Sequence, residues 1–70
     1  MEDKQKICNR LCDALKLTRQ FNDLVRLSYN VDKNGNEEVQ AVFEGGVFKR
    51  INVNLDSGYV MILDIMEGLK

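Results

Sequence analysis

The chain opens on a helical pattern. Ile7, Leu11, Ala14, Leu15 and Phe21 recur at spacings of three and four with Thr18 in the same stripe, while Lys6, Asn9, Asp13, Lys16 and Gln20 fall opposite. This period predicts a helix from Lys4 to Gln20 with one buried face. Glu2 and Asp3 at its start and Lys16 and Arg19 near its end complement the helix dipole.

Past Asn22-Asp23 the period becomes two. Val25, Leu27, Tyr29 and Val31 alternate with Arg26, Ser28 and Asn30; Val39, Ala41 and Phe43 alternate with Glu38, Gln40, Val42 and Glu44; and Ile51, Val53 and Leu55 alternate with Phe48, Arg50, Asn52 and Asn54. Three strands in a meander fit this pattern. Loop parity then fixes the faces. A two-residue Asn34-Gly35 turn would oppose Val31 and Glu38, whereas a three-residue loop Asn34-Gly35-Asn36 pairs Lys33 with Glu37 and Val31 with Val39. By the same argument Glu44-Gly45-Gly46 forms the second loop, pairing Phe43 with Val47 and Val42 with Phe48. One sheet face then carries Leu27, Tyr29, Val31, Val39, Ala41, Phe43, Ile51, Val53 and Leu55.

The last segment returns to helical spacing behind a cap at Asp56 or Ser57. Its expected buried stripe is Ile62, Ile65, Met66 and Leu69, flanked by Tyr59; Val60, Asp64 and Glu67 lie opposite, with Met61 and Leu63 at the edges. The fold class is therefore α+β: helix, three-stranded antiparallel meander, helix (αβββα), with both helices on one sheet face around a single core.

Length bears on this picture through stability. Seventy residues make one domain, residues 1–70, and a chain this short buries so little surface that a partner or a second copy would add usefully to it. With 44% hydrophobic and 30% charged residues the composition is that of a folded globular protein. No apolar run reaches the ~18 residues of a membrane span, and the charged start lacks the apolar core of a secretion signal, so a cytoplasmic location without membrane association is expected. Residues 1–26 carry a net +2 and the remainder −3, giving −1 for the chain, which provides no overall field to attract a polyanion.

Candidate chemistry is sparse. The chain has no histidine, tryptophan or proline and two cysteines, Cys8 and Cys12, one helical turn apart. Two thiols cannot complete a four-ligand metal site, and their spacing is not that of a redox pair, so both are read as packing residues on the helix. Glu37-Glu38 beside a turn reads as a solvated loop, and Asp64 and Glu67 share an exposed helix face, so neither pair has a reason for the raised pKa of a general acid. Gly45-Gly46 lacks the helix and Lys-Ser/Thr of a phosphate loop. No catalytic residue, metal or cofactor is expected, and the chain is read as not an enzyme.

The order helix, three strands, helix resembles the topology of double-stranded-RNA-binding domains. In that family RNA contact depends on a basic cluster opening the last helix and a Pro/His-bearing loop between the first two strands. Here those stretches are Asp56-Ser57-Gly58-Tyr59 and Asp32-Lys33-Asn34-Gly35-Asn36, which carry neither feature, so nucleic acid ranks behind protein as a partner.

Two surfaces remain. Val42 and Phe48 fall on the solvent side of the sheet with Arg26 and Arg50 around them, the composition of an interface centre, and form the candidate partner surface. Val60, Met61 and Leu63 form a candidate self-association surface through which a homodimer could assemble. The function expected is stoichiometric binding to a larger protein by a small non-enzymatic module, of the kind that a phage or mobile element encodes as an inhibitor or regulator (anti-CRISPR-like). The alternative is a nucleic-acid-binding module of the topology just named.

Overall fold

The computed structural model describes residues 2–70. Its elements are α1 (Lys4–Leu15), β1 (Leu24–Val31), β2 (Glu37–Phe43), β3 (Phe48–Asn52) and α2 (Gly58–Leu69), and the strands form one antiparallel sheet in the order β1-β2-β3. α1 packs on β1, α2 packs on β3, and the two helices touch. Cys8, Cys12 and Leu15 of α1 and Met61, Ile65 and Leu69 of α2 join Leu27, Val39, Ala41 and Ile51 in one buried cluster, so both helices cover the same sheet face. This is the α+β arrangement expected from the change of period.

The Asp3 side chain caps α1 by accepting the Lys6 N–H at 3.0 Å. The helix stops at Leu15, well short of Gln20. Thr18 is the cause: its hydroxyl donates to the Leu15 carbonyl at 2.6 Å and accepts the Phe21 N–H at 3.3 Å, which turns the chain out of the helix. Leu17 is left 89% exposed. The buried face centres on Cys8, Cys12 and Leu15, with Ile7 and Leu11 half-buried beside it and Ala14 exposed. Both thiols thus serve as packing residues.

Strand β1 departs from strict alternation at its start. Leu24 faces Phe43 and Arg26 faces Val42, which leaves Val25 as the extra residue of a β-bulge. Leu24, not Val25, therefore enters the core, and Val25 is 42% exposed. The first hairpin is also offset from expectation: Val31 faces Glu37 and Tyr29 faces Val39. Asp32 sets this longer loop, its carboxylate accepting the N–H of Asn34 at 2.8 Å and of Asn36 at 2.9 Å while its own N–H donates to the Asn36 carbonyl. The offset is by two residues, so parity survives and every side chain keeps its face. Val31 is nevertheless carried beyond the core into solvent.

The second hairpin matches its expected register. Phe43 N–H donates to the Val47 carbonyl at 2.7 Å and Val42 faces Phe48. Gly45 and Gly46 take φ values of 85° and 84°, which a side chain would strain. Leu55 lies past the end of β3 and is 90% exposed, so it does not extend the core face.

Ser57 caps α2, its hydroxyl accepting the Val60 N–H at 3.2 Å. The buried stripe is Met61, Ile65 and Leu69 with Gly58; Ile62 and Met66 flank it and Tyr59 is exposed. Two glycines explain this rotation from the expected stripe. A Cβ on Gly58 would stand 2.7 Å from Ile7 Cδ1, and one on Gly68 would stand 2.7 Å from Ile51 Cγ1. At these two positions the α2 backbone approaches α1 and β3 more closely than a side chain would allow. No described helix is long and apolar enough to cross a membrane.

Candidate interaction surface

The outer face of the sheet, opposite both helices, holds the expected partner surface. Arg26, Val42 and Phe48 form one cross-strand row, and the neighbouring row is Ser28, Gln40 and Arg50. The Arg50 guanidinium carbon lies 5.9 Å from the Phe48 ring centroid, within cation–π range. Phe48 is 52% exposed, Val42 is half-buried, and both arginines are exposed. The four residues selected from the sequence are therefore neighbours on a face that the fold leaves open. Toward the hairpin end this face becomes a polar depression lined in part by Asn30, Asp32, Glu38, Asn52 and Asn54.

The register also defines the two sheet edges. The Phe43 to Val47 and Val53 to Glu37 hydrogen bonds show that Val47, Lys49, Ile51 and Val53 turn their backbone groups toward β2. The N–H and C=O groups of Phe48, Arg50 and Asn52 consequently point outward, and no described backbone group pairs with them. At the β1 edge the outward groups belong to Leu27, Tyr29 and Val31. There the Gln5 side chain from α1 accepts the Tyr29 N–H at 2.8 Å and donates to the Leu27 carbonyl at 3.0 Å, acting as a one-residue substitute strand.

The self-association surface is not assembled as expected. Val60 and Leu63 are exposed, but Met61 is 0% exposed and belongs to the chain's own core. The roll of α2 that seats Gly58 and Gly68 is what draws it inward. A separate apolar groove between the helices is lined by Ile7, Leu11 and Ile62 and edged by Asp3, Lys6 and Arg10.

Glu37 is a polar hub, not a solvated loop residue. Its Oε1 accepts from Lys4 Nζ at 2.6 Å and from the Tyr29 hydroxyl at 2.5 Å, and its Oε2 accepts the Leu55 N–H at 2.9 Å. The Lys4 hydrogen bond, followed by those from Tyr29 and Leu55, lowers the Glu37 pKa from 4.5 to about 2. Asp56 nearby moves the opposite way, raised by a hydrogen bond with Asp64 and by burial. These contacts join the start of α1, the first hairpin and the entry to α2.

Burial raises the thiol of Cys8 to about 11, with the neighbouring Cys12 adding to the shift, and burial likewise raises Cys12. Such thiols are poor nucleophiles. Among the described residues no group of three or more histidine, cysteine, aspartate or glutamate side chains is placed to hold a metal ion. No protein-family model, curated protein or solved structure matches this chain.

Gln5 and Glu37 are the residues that sequence reasoning passed over. Gln5 lies on the half-buried flank of α1, a weak signal for an edge clamp. Glu37 carried a stronger one, because it stands next to Glu38 at the start of an alternating strand and the two must therefore point to opposite faces.

Proposed function

We propose that this chain is a non-enzymatic protein-interaction module that binds a larger cytoplasmic protein stoichiometrically through the outer sheet face centred on Phe48. The observation that carries this reading is the half-exposed Phe48 ring, stacked by Arg50 and adjoining Val42 and Arg26 on the face opposite both helices. An aromatic anchor rimmed by arginine is the composition of a binding hot spot, where truncation costs about 2 kcal/mol or more. The buried, proton-retaining thiols and the structural use of Glu37 agree with a role that involves no catalysis. An inhibitor or regulator encoded by a phage or mobile element, anti-CRISPR-like in its mode of action, is the subtype that small size and the lack of catalytic groups suggest.

Capture from the native host by the tagged chain, set beside capture by a Phe48→Ala/Val42→Ser variant, tests this. One protein retained near one-to-one, insensitive to nuclease treatment and lost by the variant while its melting temperature stays close to that of the parent, is the expected result. Retention by the variant at equal strength would refute the role of this face. Loss of all capture on nuclease treatment would show nucleic acid to be the partner.

A further inference from the structure

We propose that the open edge of β3 takes up an extended acidic segment of the partner as a fourth strand of the sheet; this rests on the protein-binding role proposed above. The outward N–H and C=O groups of Phe48, Arg50 and Asn52 form a regular row with no backbone partner among the described residues, which is the template for strand addition. The β1 edge is partly taken, because Gln5 holds the Leu27 carbonyl and the Tyr29 N–H.

The charge of the edge selects the occupant. β3 places Lys49 and Arg50 on opposite faces of one short, exposed strand. An added strand would set one side chain beside Arg50 on the outer face and another beside Lys49 on the helix side, so acidic residues at adjacent positions would engage both cations. An apolar residue opposite Phe48 would extend the row of Arg26, Val42 and Phe48. The same charges act against a second copy of this chain: the fully overlapped antiparallel register, centred on Arg50, sets that guanidinium against its own copy.

The test is amide-resolved NMR titration of the full chain with a capped seven-residue peptide in which two adjacent glutamates, which fall on opposite faces of a strand, are flanked on each side by valine and the remaining positions are threonine. Two comparison peptides accompany it, one methylated at alternate backbone nitrogens and one with lysine in place of glutamate. The acidic peptide is expected to bind and to slow hydrogen exchange at Phe48, Arg50 and Asn52, with the methylated form weaker by about tenfold or more because its strand hydrogen bonds are lost. A Lys49→Glu/Arg50→Glu variant, altered only at exposed positions, should exchange this preference for the lysine peptide. Absence of acidic-peptide binding, equal binding of the methylated form, or shifts confined to β1 or to the groove between the helices would overturn the proposal. Failure of the edge and failure of the face read differently. If only the edge assignment is wrong, the Phe48→Ala/Val42→Ser variant still loses the host partner; if the face is wrong, that variant retains it.

Discussion

The two edges of this small sheet are finished in different ways. At β1 a single amide, that of Gln5, satisfies the Tyr29 N–H and the Leu27 carbonyl, while Cys12 Sγ lies 3.7 Å from the Val25 carbonyl as a weak donor. At β3 the corresponding groups of Phe48, Arg50 and Asn52 meet no described backbone partner, and the strand carries Lys49 and Arg50 instead. The difference follows from how each helix is seated. α1 reaches the rim of β1 with polar and thiol side chains, whereas α2 brings Gly68 down onto Ile51 and thereby sits over the face of β3. One edge is partly closed by side-chain hydrogen bonds and the other carries two cations, a charge that under the strand-addition proposal would discriminate between incoming strands instead of excluding all of them.

The sharpest way to break this comparison is to remove the core beneath β1. Leu27 is fully buried against both helices' cluster, and Leu27→Ala should cost about 2–5 kcal/mol, enough to unfold much of a marginally stable chain. Urea denaturation followed by circular dichroism measures it. A loss below about 1 kcal/mol would mean that β1 does not bear the core and that its closed edge is incidental.

Gln5→Ala comes next in size. It leaves the Tyr29 N–H and Leu27 carbonyl without their side-chain partner, an expected cost of about 1–3 kcal/mol for groups shielded from water. The more telling readout is association. With β1 opened, the variant has two available edges and should show concentration-dependent self-association by analytical ultracentrifugation where the parent shows less. Equal sedimentation of the two proteins would show that the amide contributes local stability and no edge protection.

Acid titration probes the hub that holds β1 and β2 to the neighbouring loops. The Glu37 pKa falls from 4.5 to about 2 on folding, so its contribution is fully present above about pH 4.5 and is lost as pH falls toward 2. Asp56 has the opposite sign: its raised pKa means that protonation favours the folded state, so its interaction with Asp64 improves as pH falls. Glu37→Gln should therefore lower the melting temperature at pH 7 and flatten its decline between pH 4.5 and 2, whereas Asp64→Asn should raise the melting temperature at pH 7. Parallel acid profiles for Glu37→Gln and the parent would remove Glu37 from the hub.

Much of the fold was legible in the sequence because face assignment depends on parity and period. The Val42–Phe48 pairing followed from the length of the Gly45-Gly46 loop, and the first hairpin kept its faces despite a two-residue offset. What stayed hidden was set by single side chains acting on the backbone or by close backbone approach. Thr18 ended α1, Asp32 lengthened the first loop, the bulge at Val25 exchanged it for Leu24, and Gly58 with Gly68 rolled α2 so that Met61 entered the core. The outer sheet face was readable for the same reason as the register, since it is the complement of the core face. Edge closure was not, because a glutamine's spacing does not reveal that it will reach another element's backbone.

The smallest expected effect is the stability change from Phe48→Ala, and it bears most directly on whether the outer face beside the β3 edge is directed at a partner. Phe48 lies on the solvent face against Val42, with Arg50 over its ring, so its removal vacates no buried volume. The folded state should lose only what a cross-strand pair supplies, about 0.2–1 kcal/mol by thermal and urea denaturation. Partner affinity should fall by about 2 kcal/mol or more in the same variant if the ring anchors the interface. A stability loss approaching that of Leu27→Ala would place Phe48 among the residues that hold the sheet together and would count against a binding role for the outer face. A small stability loss with a large affinity loss is the pattern that a partner-directed outer face produces, whether or not the β3 edge beside it also takes up a strand.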